Sequence, residues 1–225
     1  MVKRPSSPGS SKSHGECHDR AVQALFRPLP LVAIIRGVTP DEVEAVGEAI
    51  FAAGIRIIEV PLNSPDPLES IRRLSARMGE RALVGAGTVL TVGQVREVER
   101  AGGRLVVSPN TNPDVIRATV HAGMVSAPGY FTPSEAFTAI DAGATALKLF
   151  PAEGASPAVV KAQRAVLPKD VPLLIVGGVT PETMQPWLEA GANGFGLGSG
   201  VYSPGRSAED SGARAAAYVQ ALASI

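Results

Sequence analysis

The dipeptide Ala-Gly recurs at 53–54, 101–102, 122–123, 142–143 and 190–191, and each time an apolar segment follows at once. Glycine suits the left-handed residue that closes a helix, so each pair marks a point where a helix stops and the chain drops into a strand. The apolar runs predict strands over 31–35, 55–60, 82–86, 104–108, 124–127, 144–149, 172–176 and 194–197. Helices are predicted at about 66–79, 91–101, 112–122, 133–142, 157–167, 181–190 and 207–223, and an eighth opens after the first strand at Thr39-Pro40-Asp41-Glu42 and ends at 53–54. There Thr39 is the expected N-cap and Pro40 the first helical residue, with acids in the first turn. Similar cap chemistry stands at Asn112-Pro113-Asp114, Thr132-Pro133-Ser134-Glu135 and Thr180-Pro181-Glu182. Strict alternation of buried strands with helices implies a parallel sheet, because each crossover needs a helix's worth of chain. Eight such units in roughly 200 residues match one closed (β/α)8 barrel of the TIM type. A doubly wound open sheet is the structural alternative, but no G-x-G-x-x-G follows the first strand.

The first 18 residues fit no unit of this pattern. They are rich in Ser, Pro, Gly and charge without an apolar block, which reads as a disordered extension rather than a secretory signal. A short helix over 19–27 then leads into the barrel, so the expected division is 1–18 for the extension and 19–225 for a single α/β domain. Twenty-one basic and twenty-one acidic residues cancel, which leaves no overall field to draw nucleic acid or an anionic membrane. Any anion must be held locally. Cys17 is the sole cysteine, and of the three histidines His14 and His18 lie in the extension and only His121 beyond it. A disulfide inside the chain is therefore excluded, and neither a metal site nor a cofactor is expected. No run approaches the ~18 apolar residues of a membrane span, and a cytoplasmic protein is expected.

Within Ala144-Thr-Ala-Leu-Lys-Leu-Phe-Pro151, a predicted buried strand, stands Lys148. An ammonium there snorkels to solvent, is paired, or loses its proton. The other four lysines, Lys3, Lys12, Lys161 and Lys169, lie in the extension or in helix and loop contexts. In a (β/α)8 barrel the reacting groups sit at the carboxyl ends of the strands and on the loops beyond them. Those positions hold Arg36, then Glu59 with Asn63 and Ser64, then Gly87 and Thr88, Pro109 and Asn110, Pro128 and Gly129, Lys148 with Phe150, Gly177-Gly178, and Gly198-Ser199. Arg36 either pairs with Asp41 and Glu42 or faces a ligand. Glu59 is either a salt-bridged strand-end acid or an inward general acid/base. The glycine turns serve backbone geometry alone or, after strands seven and eight, a phosphate site, with a helix N-terminus near 199–203 adding a favourable dipole.

A lysine, an acid and a phosphate cradle suit amine catalysis: a neutral lysine condenses with a ketone, and the protonated imine is the electron sink for carbon–carbon cleavage. Glu59-Val-Pro-Leu-Asn-Ser-Pro65, Val84-Gly-Ala-Gly-Thr-Val89, Val107-Ser-Pro-Asn110, Ala146-Leu-Lys-Leu-Phe-Pro151 and Val176-Gly-Gly-Val179 together resemble the class I pyruvate aldolases of 2-keto-3-deoxy-6-phospho sugar acids, from about Leu31 to Tyr218. The resemblance implies reversible cleavage to pyruvate and glyceraldehyde 3-phosphate without a metal, in a homotrimer. It assigns Lys148 to the imine and Glu59 to acid/base work. Arg36, Thr88 and Pro109 surround the pyruvate portion, Phe150 packs beside the lysine, and Gly177, Gly178, Gly198 and Ser199 hold the phosphate. Asn63 stands where the phosphogluconate-type members carry an arginine, and Pro61-Leu-Asn-Ser-Pro65 is similar to the galactonate-specific branch. The competing readings are the gluconate epimer, a sugar-phosphate epimerase or isomerase, a thiamine-type or indole-forming synthase, and a non-catalytic phosphate-binding relative.

Overall fold

The computed structural model describes residues 30–225; the predicted extension over 1–18 and helix over 19–27 lie outside the described residues. The elements alternate as β1 (Leu31–Ile34), α1 (Val43–Ala52), β2 (Ile57–Pro61), α2 (Pro67–Met78), β3 (Leu83–Gly87), α3 (Val92–Arg100), β4 (Leu105–Val107), α4 (Pro113–His121), β5 (Val125–Ala127) and β6 (Gly129–Tyr130). They continue as α5 (Pro133–Asp141), β7 (Leu147–Leu149), α6 (Pro157–Arg164), β8 (Leu173–Val176), α7 (Met184–Glu189), β9 (Gly194–Leu197) and α8 (Ala208–Ala223). The strands are parallel in the order β5-β4-β3-β2-β1-β9-β8-β7-β6.

The nine described strands make eight staves, because β5 and β6 form one stave interrupted at Pro128, which has no N–H to donate; the strand predicted over 124–127 matches β5, and β6 extends it past the proline. Its first half pairs with β4 and its second with β7, with Gly129 level with Lys148. The joint is sewn by Thr145 and Ala146 N–H donating to the Ser126 carbonyl, Lys148 N–H to Pro128 and Phe150 N–H to Tyr130. These bonds close the (β/α)8 barrel, as the alternation predicts.

All five glycines of the Ala-Gly pairs have positive φ, from 71° at Gly123 to 114° at Gly54. A side chain would strain that conformation, so the repeated signal is a set of helix stops. Asn112 caps α4 by accepting from Asp114 N–H, and Thr132 with Glu135 forms a full capping box on α5. The expectation at Thr39 needs correction: α1 begins at Val43, and the Thr39 N–H donates to the Glu42 carboxylate. Glu42 also accepts from the Tyr202 hydroxyl, so a long-range partner holds residues 40–42 in a turn. Thr180-Pro181-Glu182 opens a short 3-10 turn over Pro181–Thr183, and α7 follows only at Met184.

The core has two layers. Val32, Ile57, Leu83, Leu105, Val125 and Leu174 fill the barrel interior, while Ile35, Ile50, Ile58, Ile71, Leu74 and Phe195 lie between strands and helices. Burying each of these larger side chains stabilises the fold by about 1.5–3 kcal/mol. Period-two alternation along each strand sends neighbours to opposite layers, and so Ile58 faces the helices while Glu59 faces the lumen. The ring thereby receives a charge among hydrocarbons.

Candidate active site

Glu59 and Lys148 both point into the carboxyl end of the barrel interior, among Ile34, Val107, Ala127, Leu174 and Val176. Their strands, β2 and β7, are the second and sixth of eight staves, so the two groups face one another across the lumen. They are 1% and 6% exposed, which rules out a snorkelling lysine and a solvated acid. The free space between the lining groups is about 10 Å³, on the margin of holding one water. One carboxylate oxygen, Glu59 Oε2, is buried without a hydrogen-bond partner among the described residues. Gly87 makes room for it: a Cβ there would lie 1.9 Å from Oε2.

Burial dominates the protonation of both groups. It pushes the Glu59 carboxyl up to about 7, against the smaller opposing pull of Lys148 and Arg36. It pushes the Lys148 ammonium down from its usual value; the charge of Glu59 opposes this and that of Arg36 adds to it. The arrangement favours the neutral forms of both, an amine that can attack and an acid that can give or take a proton near neutrality. Phe150 lies beside the amine, with Nζ 4.6 Å from its ring centroid.

Arg36 does not pair with Asp41 or Glu42. It turns to the mouth of the barrel, where its guanidinium donates to the Asn63 side-chain oxygen and, at 3.5 Å, to the Thr88 hydroxyl. Ser64, buried next to Asn63, accepts from the Gly37 N–H at 2.9 Å. The Asn-Ser pair in Pro61-Leu-Asn-Ser-Pro65 thus clasps Arg36-Gly37 at two consecutive points. Thr88 has φ 59°, a left-handed conformation uncommon for a β-branched residue, which gives its hydroxyl this aim. Pro109, just past β4, has its carbonyl against Gly129, the neighbour of Lys148 in the next strand, and lies two staves away from the amine.

Above the pair opens a cleft of about 600 Å³ lined by Arg36, Phe150, Gly177, Gly178, Gly198 and Ser199, among others. Gly177 and Gly178 have φ of 119° and 64°. The helix N-terminus expected near 199–203 is only a single turn, closed by Val201 and Tyr202 N–H donating to the Gly198 carbonyl; α8 starts at Ala208. A macrodipole is absent there, and the loop offers backbone N–H groups alone. Two cleft residues escaped the sequence. The Tyr218 hydroxyl donates to the Val179 carbonyl at 3.0 Å and sits where a Cβ on Gly200 would be, so it braces both glycine loops. Glu153, from the 3-10 turn Ala152–Gly154 after the Lys148 strand, lies against Gly177 and Gly178. Its loop position was a signal; Tyr218, from the last helix, carried none. Among the described residues no three His, Cys, Asp or Glu side chains are grouped to hold a metal.

A parallel barrel whose carboxyl end carries a buried amine, a buried acid and glycine loops has the parts of a lysine-dependent barrel enzyme. The chain matches, over residues 22–212, the family model described as "Aldolase: KDPG and KHG aldolase", and it belongs to that family. It is 49% identical over 193 residues to the 2-dehydro-3-deoxy-6-phosphogalactonate aldolase of Escherichia coli (strain K12), covering 86% of this chain and 94% of the relative. A solved structure described as "Native KDPGal structure" superimposes with a TM-score of 0.86 at 48% identity, covering 87% of this chain and 95% of that one. A KDPG aldolase from Legionella pneumophila, solved with pyruvate captured as a covalent carbinolamine, is more distant: 27% identity and a TM-score of 0.76, over 87% of this chain and 96% of that one.

Proposed function

We propose that this chain is a class I, Schiff-base aldolase that reversibly cleaves 2-dehydro-3-deoxy-6-phosphogalactonate to pyruvate and D-glyceraldehyde 3-phosphate. The observation that carries the reading is the pairing of Lys148 with Glu59 across a narrow, apolar-walled lumen, each biased toward its neutral form. The neutral Lys148 amine attacks the C2 ketone, Glu59 passes a proton to the departing hydroxyl, and water leaves as the imine forms. Glu59, now a carboxylate, takes the C4 hydroxyl proton as the C3–C4 bond breaks. The aldehyde departs, and the bonding electrons flow into the imine to give an enamine. Protonation at C3 and hydrolysis release pyruvate and regenerate the amine.

Arg36, oriented by Asn63 and Thr88, takes the substrate carboxylate, with Pro109 and Phe150 shaping the pyruvate seat. Gly177, Gly178, Gly198 and Ser199 take the phosphate through backbone N–H groups. Support for the galactonate epimer is the Asn63 clasp, with an amide in place of the cation of the gluconate type, and, among the solved structures, the 48% identity to the KDPGal one against 27% to the KDPG one. The proposal includes a homotrimer in the cytoplasm. Phe131 and Phe137, each 40% exposed, supply apolar surface for a subunit contact, and no described helix is long and apolar enough to cross a membrane. Sedimentation velocity tests the trimer.

Borohydride reduction in the presence of pyruvate is the direct test. A pyruvate-dependent mass increase on the peptide containing Lys148 is expected, and an active protein with no such adduct overturns the mechanism. Comparison of kcat/KM for the two epimeric phosphates decides the substrate; a strong preference for the gluconate compound overturns the galactonate assignment.

A further inference from the structure

Among the described residues Glu153 is the one carboxylate lining the upper cleft, and it stands beside the glycine pair assigned to the most negatively charged group of the substrate. A Cβ built on Gly177 would lie 2.0 Å from Glu153 Oε2 and 2.7 Å from its Cδ, and one on Gly178 would lie 3.0 Å from Cγ. The carboxylate therefore lies against the Cα side of the glycine pair, beside its N–H groups and without accepting from them. It forms no hydrogen bond or ion pair among the described residues, and the side chain is exposed, so no structural bond holds it there. Among the described residues Arg36 is the sole cation lining the cleft, and its guanidinium is turned to Asn63 and Thr88.

We propose that Glu153 is a built-in competitor for the phosphate seat, a residue that weakens the grip on phosphorylated ligands and hastens their departure. The inference rests on the assignment of the glycine loops to phosphate. A phosphate dianion held by the Gly177–Gly178 N–H groups sits beside the Glu153 carboxylate, which crowds its approach and repels it. The same repulsion speeds the departure of the aldehyde product. Specificity follows as well: a ligand lacking the phosphate meets no repulsion, so Glu153 narrows the advantage of phosphorylated over unphosphorylated keto acids.

The test is calorimetric titration of the full-length protein with inorganic phosphate at pH 7.5. Glu153→Gln keeps the shape and removes the charge; it is expected to tighten the Kd for phosphate by about 3- to 10-fold at low salt, and by less at 0.5 M salt where the repulsion is screened. Under the same conditions KM for the phosphorylated substrate falls in parallel, and the off-rate of glyceraldehyde 3-phosphate slows. An unchanged or weakened phosphate affinity in E153Q overturns the proposal. So does tightening only in Glu153→Ala, which would make the obstruction one of bulk. Wild-type protein that binds no phosphate at all refutes the phosphate assignment instead, and borohydride trapping of pyruvate on Lys148 stands or falls independently of both.

Discussion

The lower and upper parts of the cleft are made of different material. Below, side chains on rigid strands face one another in a space of about 10 Å³, and their ionisation is governed by burial. Above, a volume of about 600 Å³ is bordered by glycine turns that offer peptide groups. Proton transfer needs groups that can change charge and keep their place, which strands in a closed sheet provide. Holding a phosphate needs several donors at close range and no titration, which glycine loops offer with no side chain of their own in the way.

Lys148→Ala is the hardest test of the lower part. It is expected to lower kcat/KM by roughly 10⁴-fold or more, since covalent catalysis has no substitute here. Retention of turnover within tenfold would show that the amine is a structural ornament.

Glu59→Gln comes next, with kcat falling about 10²- to 10⁴-fold, the usual worth of a positioned acid/base. Because the free enzyme begins the cycle with Glu59 protonated, in the wild type the basic limb of the kcat/KM profile lies near the pH of about 7 to which Glu59 is raised, and it should vanish in the variant. The sign for stability is opposite to that of an ordinary paired carboxylate. A carboxyl raised from 4.5 to about 7 binds its proton more tightly when folded, so its stabilising effect is full below pH 4.5 and is lost as pH rises to 7. The Tm of E59Q relative to wild type should therefore climb between pH 5 and pH 8 in a thermal scan.

In the upper part, Gly178→Val places a branched side chain at φ 64° beside Glu153. Losing charge-assisted donors there is expected to raise KM for the phosphorylated substrate roughly 10- to 100-fold, while pyruvate still traps on Lys148. If trapping fails too, the two parts are not separable. Tyr218→Phe is the mildest change: it frees the Val179 carbonyl, and one hydrogen bond corresponds to a KM increase of about 2- to 10-fold, with kcat less affected.

Local chemistry was legible in the sequence and distant partnership was not. Ala-Gly and Asn-Pro-Asp report their own backbone geometry, and the strands and helices were found within a few residues of their limits. The buried lysine and acid were visible because a charge inside an apolar run contradicts its surroundings. By contrast, Thr39 was misread as a cap because Tyr202, 160 residues beyond Glu42, draws on the same carboxylate. The partner of Arg36 is illegible locally for the same reason: its choice of Asn63 and Thr88 depends on two neighbouring staves. Nor does any local signal say that the fifth stave changes allegiance at Pro128, since that depends on how far the hoop must reach to meet β7.

That divided stave sorts the molecule into two moieties. Everything before Pro128 includes Arg36 and Glu59, and everything after it includes Lys148 and both glycine turns. A polypeptide severed at the seam would leave the acid on one fragment and the amine on the other, so turnover regained on mixing would be a direct readout of the halves having found each other.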